Sequence, residues 1–174
     1  MIEPLNICVM LGGDSRERAV SIKSGVAVAE ALRSIGHSVC EIDPVDGEFE
    51  LPLETDVVFI ALHGTYGEDG TVQAKLDTLG VPYTGCGEAA SRIAFDKIAA
   101  KRACARDGLA TANDCVVDEL GADMPVGLEL PLVLKPVCQG SSIGLEFVDS
   151  ATTWSSCLAR AFEAGGPVLV EERI

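Results

Sequence analysis

Cationic side chains are scarce in this chain: of its 174 residues 13 are basic and 27 acidic, giving a formal net charge of −14 and a pI near 4.4. Such a balance, with no Lys/Arg cluster or stripe, excludes binding through a nucleic-acid backbone and disfavours an anionic membrane surface. No apolar run approaches the ~20 residues that span a bilayer. The opening Met1-Ile2-Glu3-Pro4 carries no basic segment of the kind that starts a secretory signal. The seven cysteines are odd in number and include no C-x-x-C pair, which supports neither a metal cluster nor a disulfide framework. They read as buried or incidental thiols of a reducing compartment, so the expected location is the cytoplasm. Both the G-x-G-x-x-G fingerprint and the G-x-x-x-x-G-K-[ST] phosphate loop are missing.

What is present is a globular composition, 48% hydrophobic and 23% charged, long enough for one ordinary domain or two small ones. Residues 5–11 (LNICVML) form an apolar run closed by Gly12-Gly13 and read as a buried strand. Over residues 21–35, Ile22, Val26, Ala29, Leu32 and Ile35 fall on one broad helical side, and Gly36 supplies a stop. Residues 39–43 and 57–62 read as further strands, the latter continuously apolar as in a strand covered on both faces. Val72, Leu76 and Leu79 then mark a short helix before Gly80. This order implies a parallel sheet with right-handed crossovers, whose ligands bind beyond the carboxyl ends of the strands. After about Arg92 the pattern changes. Residues 96–106 read as a helix with a basic side, and residues 115–117, 132–135, 145–148 and 168–170 as strands. Trp154, Leu158, Ala161 and Phe162 form a helical stripe. The expected organisation is a domain over residues 1–93 and a second over residues 94–174.

Four segments could carry chemistry. In residues 12–18 (GGDSRER) the glycine pair lets backbone N–H groups approach a ligand, and Glu17 could hold an ammonium; a plain strand-to-helix turn with a solvated carboxylate reads the same way. His63 ends an apolar strand and opens the segment HGTYGEDG, where an imidazole could bind a carboxylate, shuttle a proton, or simply bond to loop backbone. Lys135 ends the run LVLK and needs an anionic partner if buried; the following Gly140-Ser141-Ser142-Ile143-Gly144 suits either a phosphate-closing flap or an ordinary hairpin loop. Residues 168–172 (VLVEE) pass from an apolar strand into paired carboxylates, among them Glu171.

Taken together the segments GGDSRERAVS, FIALHGTYGEDGTVQ, LGVPYTGCG, FDKIAAK, LVLKPVCQGSSIG and VLVEE resemble the D-alanine–D-alanine ligases of the ATP-grasp superfamily. The resemblance implies a Rossmann-like parallel-sheet domain, then the first α+β subdomain of an ATP-grasp fold, truncated. It implies ATP-dependent phosphorylation of one D-alanine carboxylate, attack by the amine of a second on the acyl phosphate, and a dipeptide for peptidoglycan. ATP and Mg²⁺ are the implied cofactors. By the same resemblance Glu17 holds the first substrate's ammonium and His63 stands at the substrate site. Ser141 is the closing-loop hydroxyl linked to Glu17, with Ser142 beside it; Lys97 and Lys135 bind ATP phosphates, and Glu171 accepts from the adenine amino group.

Family members run to roughly twice this length. The resemblance therefore implies an N-terminal fragment lacking the Mg²⁺-binding Glu and Asn, a catalytic arginine and the lid, with no ligase turnover alone and with homodimers expected of the full-length form. Competing readings are another ATP-grasp carboxylate–amine ligase, a non-catalytic binding module and a doubly wound dinucleotide binder.

Overall fold

The computed structural model describes residues 3–174, which divide into two compact units with the boundary between Arg92 and Ile93. The division falls inside one helix, Glu88–Phe95.

The first unit holds β1 (Asn6–Met10), α1 (Arg18–Ser34), β2 (Ser38–Ile42), β3 (Val57–Ile60) and α2 (Thr71–Leu79), followed by α3 (Glu88–Phe95). Its strands pair in the order β2-β1-β3, all parallel. Period-two alternation explains why β1 is apolar throughout: Cys8 and Met10 enter one core with Val58, Leu62, Val72 and Leu76, while Ile7, Val9 and Leu11 enter another with Ala29 and Ala61.

The inward face of α1 matches the expected one at Ile22, Ala29 and Leu32, which pack on the core, and departs from it elsewhere. Val26 and Ile35 are exposed, and the fully buried helix positions are Ser21, Gly25 and Ala29, spaced i, i+4, i+8. The reason is close approach. A Cβ built at Gly25 would collide with the Leu11 side chain, so only small residues fit where α1 crosses the end of β1. Leu79, expected inside, is half exposed at the end of α2, leaving Val72 and Leu76 to anchor that helix.

The second unit contains α4 (Lys97–Arg106), β4 (Asp114–Val117), β5 (Leu132–Pro136), β6 (Glu146–Val148), α5 (Trp154–Ala164) and β7 (Val168–Glu172). Its sheet is antiparallel with order β4-β7-β5-β6, so the last strand lies in the interior of the sheet. Leu132, Leu134, Val168 and Val170 meet Trp154, Cys157, Leu158 and Ala161 of α5 on one face. Alternation sends Val133, Lys135, Leu169 and Glu171 to the opposite face. Asp96 caps α4, its side chain accepting from the N–H groups of Ile98 and Ala99 at 2.8 and 3.0 Å. The cysteines are free, including Cys8 and its register partner Cys40. Burial, with Cys40 beside it, pushes the Cys8 thiol up to about 12, so it stays protonated.

Candidate active site

In the first unit the loops leaving β1 and β3 are stitched together by Ser15. Its hydroxyl donates to the His63 carbonyl at 2.6 Å and accepts from the Glu17 N–H at 3.1 Å. Glu17 is the residue immediately before α1. Its carboxylate lies against the next loop: a Cβ on Gly64 would stand 2.9 Å from Glu17 Oε2. Glu17 and His63 are thus brought to one place. His63 keeps a third of its side chain exposed, with Nε2 3.1 Å from Ser24 Oγ and Nδ1 3.5 Å from Glu68 Oε1. The other oxygen of Glu68 accepts from the Gly64 N–H at 3.0 Å.

The glycine pair does not offer its N–H groups to a ligand as the sequence suggested. Gly12 N–H donates to Ser21 Oγ at 2.9 Å, and Gly13 N–H donates to Asp43 Oδ1 at 2.9 Å. Both residues adopt positive φ (83° and 70°), so the pair makes the turn and the surrounding side chains consume its donors. Arg18 completes the clamp, forking onto both Asp43 oxygens at 2.8 and 2.5 Å and onto the Gly13 carbonyl at 2.9 Å. The bonded guanidinium holds the Asp43 carboxyl below the usual carboxylate range.

In the second unit Lys97, Lys135, Gly140, Ser141 and Ser142 line one cavity of about 220 Å³, together with Gln139 and apolar neighbours. Ser141 and Ser142 both stand in the left-handed region at φ 51° and 57°. Two consecutive non-glycine residues there carry strain of about 1–3 kcal/mol each, the kind of outlier that gathers at ligand-binding loops. Lys97 Nζ donates to the carbonyls of Pro136 and Gln139 at 2.8 and 2.6 Å, tying the start of α4 to the turn after β5. Burial lowers its pKa, and the neighbouring Lys135 charge acts in the same direction.

Glu171 is nearly buried and stands between two cations. Lys101 Nζ is 2.6 Å from Oε1 and Lys135 Nζ 2.5 Å from Oε2. Lys101 also reaches Asp114 at 3.1 Å and donates to the Ala112 carbonyl at 2.8 Å. Burial pushes the Glu171 carboxyl up, but the two lysines outweigh it and hold it below the usual range. Burial likewise works against the Lys101 charge, and Glu171 and Asp114 reverse that effect and raise its pKa. Lys135 therefore has the anionic partner that a lysine ending an apolar strand requires.

Models for the D-ala D-ala ligase N-terminus and C-terminus match residues 43–86 and 109–174. The chain is 41% identical over 172 residues to a D-alanine–D-alanine ligase of Aquifex aeolicus and 43% identical over 180 residues to one of Geobacter sulfurreducens. It belongs to the D-alanine–D-alanine ligase family.

Those two alignments cover 97% and 99% of this chain but 59% and 56% of the relatives, so the chain spans little more than half their length. Among solved structures, the D-alanine–D-alanine ligase from Bacillus anthracis matches with a TM-score of 0.84 at 31% identity, over 98% of this chain and 58% of that one. The ligase from Helicobacter pylori, 23% identical with a TM-score of 0.83, shares the fold.

Sequence reasoning for this family missed four site neighbours. Ser15, Ser24 and Glu68 surround the backbone and ring of His63, and Lys101 holds Glu171. Glu68 was in plain view in the acidic loop, five residues after His63. Lys101 and Glu171 are 70 positions apart, and only the folded sheet reveals them as partners.

Proposed function

We propose that the chain supplies amino-acid-holding and nucleotide-holding elements of an ATP-dependent ligase that joins two D-alanines through an acyl phosphate, for peptidoglycan synthesis. The observation that carries the nucleotide reading is the cavity of the second unit, where Lys97 and Lys135 stand beside the strained Ser141-Ser142 turn. Lysine charge and serine hydroxyls at a small cavity suit phosphate oxygens, and fixed donors that need no reorganisation are the main contribution such sites make to phosphoryl transfer.

Lys135 joins the Glu171 carboxylate to the cavity wall. Each Glu171 oxygen keeps lone-pair capacity beyond its lysine, so the carboxylate can accept a further bond from an adenine amino group. In the first unit the Glu17 carboxylate and the His63 imidazole stand ready for the amino-acid ligand: Glu17 holds an ammonium, and His63 orients the substrate or moves a proton. ATP supplies the phosphoryl group that activates the carboxylate. Among the described residues no three His, Cys, Asp or Glu side chains converge on a metal position.

Nucleotide binding is tested by titrating ATP into the 174-residue chain calorimetrically, beside Lys135→Ala. Saturable binding weakened at least tenfold by the substitution supports the reading. Equal affinity for NAD and ATP, or binding indifferent to Lys135, refutes it. In a phosphate-release assay with ATP, Mg²⁺ and D-alanine, the chain alone is expected to show no stimulated turnover, because it spans little more than half the relatives' length. D-alanine against L-alanine, glycine and D-lactate in a full-length form separates this ligase from other carboxylate–amine ligases.

A further inference from the structure

Ser24 occupies the middle of α1, and its hydroxyl has three neighbours: the carbonyls of Val20 and Ser21 at 3.0 and 3.2 Å, and His63 Nε2 at 3.1 Å. A serine hydroxyl carries one proton and two lone pairs, whereas a carbonyl can only accept. Donation back to the carbonyl four residues earlier is the ordinary behaviour of a serine inside a helix. The proton is therefore committed to the helix backbone, and a lone pair is what Ser24 turns towards the imidazole. Nε2 must then be the donor.

At the opposite ring nitrogen no good hydrogen bond competes with this assignment. Nδ1 lies 3.5 Å from Glu68 Oε1, beyond the range of a good N–H···O bond. Glu68 is not free to close that gap without loss, because its other oxygen accepts from the Gly64 N–H at 3.0 Å, and Gly64 in turn accepts from the Glu68 N–H at 2.9 Å. A Ser–His–Glu relay with the hydroxyl donating to Nε2 and Nδ1–H donating to Glu68 would give up the hydroxyl's bond to the helix backbone and rely on a stretched bond to the carboxylate.

We propose that Ser24 is a positioning residue that fixes neutral His63 as its Nε2–H tautomer and leaves Nδ1 as the acceptor of the site. This assignment concerns the first unit alone. Its consequence for the ligand rests on the ligase reading above: neutral His63 receives a proton or a hydrogen bond at Nδ1 and has no N–H to spare for a substrate carboxylate.

The chain's two histidines make the test direct. Long-range ¹H–¹⁵N correlation spectra of the ¹⁵N-labelled 174-residue chain, recorded at about pH 9, above the ordinary histidine range, report each ring's tautomer. His37 is an internal reference, because its Nδ1 accepts from the Leu5 N–H at 3.1 Å and so it too must be Nε2–H. The expected wild-type result is Nε2–H for both rings. In Ser24→Ala the His63 nitrogens shift towards the averaged positions of a tautomer mixture while His37 stays in place, and Ser24→Thr, which restores a hydroxyl, returns His63 to the wild-type pattern. An Nδ1–H tautomer at His63 in the wild type, or a Ser24→Ala spectrum identical to it, overturns the proposal. Neither result depends on nucleotide binding or turnover, so failure here and failure of the ligase reading are separate outcomes.

Discussion

Replacing Lys101 by methionine isolates the contribution of the lysine–carboxylate network in the second unit. Methionine keeps most of the aliphatic stem, so packing changes little and the loss is concentrated at Nζ. Three acceptors lose their donor: Glu171 Oε1 at 2.6 Å, Ala112 O at 2.8 Å and Asp114 Oδ1 at 3.1 Å. Asp114 and Ala112 can turn to water, because the Asp114 side chain is 33% exposed and Ala112 is only part-buried. Glu171 cannot, with 8% of its surface accessible. Removing one member of a buried pair costs about 3–5 kcal/mol when the other is left alone. Here Lys135 remains on Oε2, which reduces the expected loss to about 2–3 kcal/mol. For a cooperative unit of about 80 residues that is a fall in Tm of roughly 10–20 °C. Thermal unfolding followed by circular dichroism measures it. The double variant Lys101→Met/Glu171→Gln removes the stranded charge and is expected to recover at least ~1 kcal/mol of the single-variant loss. A loss under about 0.5 kcal/mol, the size typical of an exposed ion pair, with no recovery in the double variant, would refute the network.

The same carboxylate sets an acid limit. Its folded pKa lies below the ordinary value, so its stabilising effect is fully present above the unfolded carboxylate range and is lost as pH falls through the folded value. Urea midpoints measured from neutral pH downwards should therefore fall more steeply in the wild type than in Glu171→Gln; parallel curves count against it. Ser21→Ala leaves the buried Gly12 N–H without its acceptor and the Ala61 carbonyl without its donor, an expected cost of about 1–3 kcal/mol in chemical denaturation. Gly25→Ala places a methyl group against Leu11 and should destabilise by roughly 1–3 kcal/mol, whereas the same change at Gly36, with open space around it, is limited to its positive-φ strain.

The parallel sheet, the strands and helices of the second unit and the family were legible in the chain, because apolar runs and alternation report directly which backbone is covered on which side; α3 and the antiparallel order of the second sheet were not. The position of Glu17 and His63 was legible for a related reason: they sit in the loops just beyond the ends of neighbouring parallel strands. Periodicity placed Ile22, Ala29 and Leu32 of α1 against the core but misjudged Val26 and Ile35, since it rewards large apolar residues. The closest contact is made by Ser21, Gly25 and Ala29, whose smallness allows the helix to approach Leu11. The glycine pair was visible, but the fate of its N–H groups was decided by Ser21 and by Asp43, 30 residues from the donor it satisfies.

Tertiary structure alone settled the electrostatics. Glu171 reads as one of two carboxylates at a strand end until β7 is placed between β4 and β5, where its side chain meets Lys135 from one neighbour and Lys101 from α4. Sequence by itself determined which strands must be buried, because a continuous apolar run reports cover on both faces, whereas on α1 close packing rather than residue type chose the buried positions. Which charge answers which, and which lone pair faces His63, depends on distances of about 3 Å between residues far apart along the chain, and only the folded molecule sets those.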